Sequence, residues 1–165
     1  MSSSALGAFS FDAMGQVWTV TSVPARNHDN VVMSGLEETP YERLGGSPFF
    51  VRLVDAFYAG VEGDPVLRPL YPGADLGPAA ERLRLFLEQY WGGPTTYSEL
   101  RGHPRLRMRH APFAVDEDAR ERWLAHMRTA LDGQALVPEL DSLLWSYFES
   151  AASAMVNTPT GHSTG

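Results

Sequence analysis

The chain contains no cysteine, which excludes disulfides and thiolate metal ligands in one step. Any metal must therefore be held by histidine, by carboxylates or through a cofactor. Lysine is absent as well, so all 13 basic residues are arginine. No apolar run approaches the roughly 20 residues that a membrane helix needs. The N-terminus lacks the basic start and apolar stretch of a secretory signal, so a cytoplasmic protein is expected. Positive charge is in short supply: the formal net charge is -7, which argues against a general nucleic-acid or anionic-membrane binder.

What is present suits a single globular domain. The 165 residues fit one hydrophobic core, and 44% of them are hydrophobic against 20% charged. Residues 1–40 stand apart. Gly7, Gly15 and Pro24 interrupt any period there, and Phe9, Phe11, Val17, Trp18 and Val20 alternate briefly without an evident strand partner. The expectation is a flexible N-terminal extension over 1–40, a folded domain over 41–157 and a disordered C-terminal tail over 158–165.

Inside the domain the helix punctuation is dense. Ser47 before Pro48 reads as an N-cap with proline at the first helical position. Phe50, Leu53, Val54, Phe57, Tyr58 and Val61 then share one helix face. Asp64 before Pro65 repeats the signal and predicts a short helix to about Leu70. Gly77 and Pro78 open another helix, with Ala79, Leu83, Phe86 and Tyr90 on one stripe, and Gly92, Gly93 and Pro94 end it. From about Thr95 to Pro112 no period is sustained, and an irregular connection of that length is usually functional. The acids Asp116, Glu117 and Asp118 then favour a helix start, with Ala119, Trp123, His126 and Ala130 along one stripe. The last helix begins near Leu136 to Pro138 and carries Leu140, Leu144, Tyr147, Phe148, Ala151 and Met155. No segment reads as a strand pair, and the fold class is all-α.

Three features carry chemistry. His110 lies among arginines, before Ala111 and Pro112. It reads either as a surface histidine or as an axial haem ligand, whose imidazole supplies Nε2 while Nδ1–H bonds a carbonyl. Around it, Arg101, Arg105, Arg107 and Arg109 stand with His103 between positions 100 and 115, where there is no acid. That cluster is either a solvated loop or a pocket for a small dianion, such as the two propionates of haem. The third feature is the presence of Tyr58 and Trp123 on core stripes. Buried phenols and indoles need partners, which are either nearby carbonyls or a ligand in an apolar cavity. His126 shares the Trp123 stripe and reads as a histidine paired in the core. His28 and His162 fall in the expected tails.

Taken in order, the residues resemble a known family. The series begins with Phe57-Tyr58, Val66-Leu67-Arg68-Pro69-Leu70-Tyr71-Pro72 and Glu81-Arg82-Leu83-Arg84-Leu85-Phe86-Leu87-Glu88-Gln89-Tyr90-Trp91-Gly92-Gly93-Pro94. It continues with Tyr97-Ser98-Glu99, Arg101-Gly102-His103-Pro104-Arg105-Leu106-Arg107-Met108-Arg109-His110-Ala111-Pro112-Phe113 and Trp123. From about Tyr41 to Asn157 the chain is similar to the group II, O-type truncated haemoglobins of actinobacteria.

The resemblance implies a two-over-two helical sandwich around one haem b per chain, with a shortened first helix and a proximal helix largely replaced by loop. Gly45 and Gly46, and Gly92 and Gly93, fall where the family bends its chain. His110 matches the proximal iron ligand. Tyr58, Tyr71 and Trp123 match the distal polar residues, while Ala79 stands where larger globins usually keep a distal histidine. Leu83 and Phe86 match the apolar wall of the cavity. Arg82, Tyr97 and Arg107 are the candidates for the propionates, with Arg105 and His103 in competition.

The implied ligands are dioxygen, nitric oxide, carbon monoxide or peroxide. Donors aimed at bound dioxygen imply slow release, which suits nitric-oxide or peroxide redox chemistry with an external, unidentified reductase, and self-association to a homodimer is a further implication. The alternatives are a non-enzymatic oxygen-binding, storage or sensing globin, and a haem-free helical interaction module.

Overall fold

The computed structural model describes residues 10–11, 17–18 and 38–159. Most of the expected extension over 1–40 and positions 160–165 of the expected tail lie outside the described residues. Two short segments near the N-terminus, β1 (Ser10–Phe11) and β2 (Val17–Trp18), pair antiparallel with Phe11 opposite Val17. The partner absent from the sequence reading is thus a segment a few residues away, and two residues are too short a strand to produce a periodic signal.

All the other regular elements among the described residues are helices. The helices are α1 (Pro40–Arg43), α2 (Ser47–Glu62), α3 (Gly77–Tyr90), α4 (Thr96–Arg101), α5 (Leu106–His110), α6 (Glu117–Asp132) and α7 (Pro138–Met155). A 3-10 turn at Arg68–Leu70 stands between α2 and α3. Helix α2 packs on both α3 and α6, and α6 packs on α7. The pairs α2–α3 and α6–α7 form the two layers of the sandwich. Between them lie Phe49, Phe50, Leu53, Phe57 and Val61 of α2, Met127 and Leu131 of α6, and Leu144 and Phe148 of α7, all almost wholly excluded from solvent. Each large apolar side chain buried in this way contributes about 1.5–3 kcal/mol.

Helix α1 is a single turn, held by a reciprocal cap. Thr39 Oγ1 accepts from the Glu42 N–H at 3.2 Å, and Glu42 Oε2 accepts from the Thr39 N–H at 2.8 Å. The Tyr41 N–H then donates to the Trp91 carbonyl at 2.9 Å, tying α1 to the end of α3. The two glycine pairs work differently. Gly45, Gly46 and Gly92 adopt φ of 98°, 73° and 98°, a region that favours glycine. Gly93 is needed for space: a Cβ there would lie 2.7 Å from the Tyr41 ring and 2.8 Å from the Glu88 carbonyl oxygen.

Several boundaries differ from the sequence expectation. Ser47 is the first residue of α2 and Gly46 occupies the cap. The Ser47 hydroxyl donates instead to Glu88 Oε1 at 2.7 Å, joining Arg84 at 2.9 Å. Glu88 is only 4% exposed, and a buried carboxylate demands donors. Asp64 does cap a turn, accepting at Oδ1 from the N–H groups of Val66 and Leu67, but only the 3-10 turn follows. The segment 95–112, expected to be irregular, contains α4 and α5. Helices of six and five residues are too short to show a period. Among the described residues, no helix is long and apolar enough to cross a membrane.

Candidate functional site

A cavity of about 460 Å³ lies between the layers, walled by α2, α3, α6 and α7 and closed on one side by α4 and α5. That volume falls within the roughly 300–1,000 Å³ of sites that take organic cofactors and ligands. Its lining is mainly apolar and includes Leu83 and Phe86 of α3. Ala79 also lines it and presents only a methyl group there.

His110, the last residue of α5, is half-buried and faces this cavity. Its Nδ1 lies 2.8 Å from the Leu106 carbonyl oxygen one turn earlier. The carbonyl can only accept, so Nδ1 carries a proton, and in the neutral imidazole the lone pair is on Nε2. A metal-ligating imidazole is usually oriented in this way. Asn157, just beyond α7, secures the segment that follows. Its amide nitrogen donates to the carbonyls of His110 at 3.2 Å and Phe113 at 2.9 Å, and its amide oxygen accepts from the Val115 N–H at 3.0 Å. The Asn157 and Thr158 backbone N–H groups both donate to the Val115 carbonyl. Nothing in the sequence around Asn157 signals this role.

The polar trio also meets at the cavity wall. Tyr58 comes from α2, Trp123 from α6, and Tyr71 from the chain just after the 3-10 turn. Tyr58 and Tyr71 pack edge to face with ring centroids 5.6 Å apart. The Tyr71 hydroxyl lies within hydrogen-bonding reach of the Tyr58 hydroxyl and of the Trp123 indole N–H, which can only donate. Burial, the neighbouring Tyr71 and the bond donated to it push the Tyr58 phenol far up, so it stays protonated. Burial also raises Tyr71, against the donors Tyr58 and Trp123. Neither phenol ionises near neutral pH.

The cavity rim is cationic. Arg82, Arg101, Arg109 and Arg120 line it, and no carboxylate does. Of the propionate candidates, Arg82 and Tyr97 line the cavity, whereas Arg107 is exposed and lies outside the lining, as do Arg105 and His103. The phase of α5 explains the difference. Leu106, Arg109 and His110 share the inward face, and Arg107 and Met108 turn outward. Arg109 also staples the preceding loop, donating to the carbonyls of Pro104 and Arg101, each at 2.7 Å. His126 is not at the cavity: its Nε2 lies 2.8 Å from Asp64 Oδ2, a histidine paired on the helix face.

These features fit haem. Among the described residues, no group of three or more His, Asp or Glu side chains could hold a bare metal ion. A single oriented imidazole suits an iron that arrives with four porphyrin nitrogens, and the arginine rim suits two propionates.

The comparisons agree with the geometry. A family profile for bacterial-like globins matches residues 39–157. The chain is 41% identical to the group 2 truncated haemoglobin YjbI of Bacillus subtilis over 118 residues, 72% of this chain and 88% of that protein. Among solved structures, a thermostable haemoglobin from the actinobacterium Thermobifida fusca is 61% identical with a TM-score of 0.73, covering 74% of this chain and all of its own. The truncated oxygen-avid haemoglobin of Bacillus subtilis is 40% identical with a TM-score of 0.69, covering 73% of this chain and all of its own. The chain belongs to the bacterial-like globins and, within them, to the group II truncated haemoglobins that bind oxygen through haem.

Proposed function

We propose that this globin retains dioxygen and consumes it in redox chemistry with nitric oxide or peroxide, rather than carrying it. The observation behind this reading is the convergence of Tyr58, Tyr71 and Trp123 on one wall of the cavity. Haem, when bound, supplies a ferrous iron that takes a diatomic ligand and can give up one electron. With dioxygen and nitric oxide, that electron balances the formation of nitrate (O2 + NO + e− → NO3−).

The protein's part is electrostatic. His110 would hold the haem iron through Nε2, with its ring oriented by the Leu106 carbonyl. Tyr71 would offer its O–H to the negative end of a bound ligand, with Tyr58 and Trp123 holding its oxygen. Donors that are already oriented need not reorganise when charge develops. A hydrogen bond to a charged acceptor contributes roughly 1.5–3 kcal/mol, and each 1.4 kcal/mol is about a tenfold change in affinity. Escape of oxygen is therefore slow. The same donors can polarise the O–O bond of a peroxide. The Bacillus subtilis structure described as oxygen-avid supports the retention part of this reading. Turnover draws electrons from an external reductase.

Stopped-flow mixing of the oxygenated protein with nitric oxide tests the proposal. Rapid stoichiometric nitrate, with a ferric product that can be reduced again, is expected. Release of oxygen before any reaction would leave a storage or sensing globin.

A further inference from the structure

Helix α6 grips the chain that carries Tyr71 at two points, and only one of them lies at the cavity. Trp123 reaches the Tyr71 hydroxyl. Three residues later, on the same face, His126 Nε2 meets Asp64 Oδ2 at 2.8 Å. Asp64 is 7% exposed, and its other oxygen accepts the N–H groups of Val66 at 2.9 Å and Leu67 at 3.0 Å. Arg122 adds a longer contact to Asp64 Oδ2 at 3.6 Å.

From that anchor the chain runs through the 3-10 turn to Tyr71. There the Arg68 guanidinium donates back to the carbonyls of Tyr71 at 3.0 Å and Gly73 at 2.7 Å. The segment is thus rigid along its length and fixed to α6 at each end. A third residue confirms that the contact is tightly fitted. Gly60 on α2 faces the imidazole so closely that an added Cβ would stand 2.4 Å from His126 Nδ1.

We propose that the Asp64–His126 pair, seated against Gly60, is a positioning device that sets where the Tyr71 hydroxyl stands relative to Trp123 and hence to a bound ligand. His126 touches neither ligand nor cofactor in this role and acts through Asp64 and the turn. If the pair opens, the segment pivots on its remaining contacts. The Tyr71 hydroxyl, no longer held in one place against Trp123, is then offered to the ligand in several arrangements instead of one. The inference rests on the reading of Tyr71 as a ligand donor held by Trp123, and its test separates the two.

The probe is carbon monoxide on the ferrous, haem-loaded full chain, read by the C–O stretching frequency alongside the oxygen dissociation rate. A donor near the ligand oxygen lowers that frequency, and loss or scatter of the donor raises or broadens it. Trp123→Phe is the reference: if it moves neither readout, the donor reading itself fails. Given that it does, His126→Phe is expected to raise or split the C–O band and to speed oxygen release about fivefold. His126→Gln, which keeps a donor at the Nε2 position, should restore a single band near the wild-type frequency.

Gly60→Ala should reproduce His126→Phe without altering either polar residue. Combined with His126→Ala it should add nothing further, because the steric conflict is gone. Arg128→Ala removes an α6–α7 tie to Asp141 and controls for general loosening of α6: it should lower thermal stability and leave the C–O band in place. A normal single band in both His126→Phe and Gly60→Ala would overturn the proposal. So would a band in Arg128→Ala shifted as far as in His126→Phe.

Discussion

The Nδ1 atom of His110 stands 2.8 Å from the Leu106 carbonyl oxygen, so a five-residue helix supplies both the imidazole proposed to hold iron and the group that orients it. The orientation follows from helix geometry, because residues four apart stack on one face. His110→Ala should abolish the Soret band of a stably bound haem or leave only weak, loosely held cofactor. Imidazole added to that variant should restore a ferrous spectrum close to wild type, since the remaining cavity is unchanged. Absorption spectra of ferric, ferrous and carbonyl forms check both outcomes.

The three-donor wall predicts an unequal mutational series. Tyr71→Phe removes the proton offered to the ligand, and Trp123→Phe removes a bond that holds Tyr71, so each should speed oxygen dissociation by about tenfold or more. Tyr58→Phe acts only through Tyr71 and should have a smaller effect. The Tyr58→Phe/Tyr71→Phe pair should then be less than additive, because the first substitution has nothing left to position. Laser photolysis with oxygen and carbon monoxide competition measures the rates.

Asn157 joins the end of α7 to the chain leaving α5. Its side chain serves the carbonyls of His110 and Phe113 and the N–H of Val115. Asn157→Ala should cost about 1–2 kcal/mol in denaturant unfolding of the haem-loaded protein, the net value of one or two such bonds at a partly wet site. Asn157→Asp keeps the acceptor for Val115 but turns a carboxylate oxygen towards the carbonyls of His110 and Phe113, so it should be at least as destabilising as alanine.

The crowded turn after α3 gives a second stability test. Gly93→Ala places a methyl group 2.8 Å from the Glu88 carbonyl oxygen and 2.7 Å from the Tyr41 ring, and backbone cannot easily retreat. A loss of about 1–3 kcal/mol is expected. Gly45→Ala meets no neighbour within 4 Å, and its cost is confined to the φ of +98°, about 1–2 kcal/mol. Thermal unfolding of both variants should rank Gly93→Ala at least as damaging.

Much of this architecture is legible in the chain because its helices are sharply punctuated. Pro48, Pro78 and Pro138 sit in the first turns of α2, α3 and α7, and Asp116 caps α6 by accepting from the Ala119 N–H. His110 is legible only through its resemblance to a family, since the local sequence suits a surface histidine equally well. The misplacement of Arg107 has a physical cause. Read as an irregular loop, 105–110 has no phase, and phase alone decides which arginines face inward. The partnerships Ser47–Glu88, Asn157–Val115 and Asp64–His126 join residues 41, 42 and 62 positions apart. No periodicity encodes such pairings; they exist only once the layers are packed.

Asp64 also makes the fold acid-sensitive. Burial opposes its charge, but the Leu67 N–H, the His126 ring, the Val66 N–H and the Arg122 guanidinium outweigh burial and hold the carboxyl well below the usual carboxylate range. The folded state therefore binds that proton less readily than the unfolded chain, whose aspartate titrates near about 4. The stabilisation is complete above the unfolded value and disappears as pH falls through the folded one. Asp64→Asn removes the ionisation, so its stability should decline less steeply than wild type between about pH 5 and pH 2. At neutral pH the variant should be the less stable of the two, because it loses the charged acceptor that serves Val66, Leu67 and His126 together. Denaturant unfolding at a series of pH values checks both signs, and parallel slopes for the two proteins would remove Asp64 as the source of the acid sensitivity.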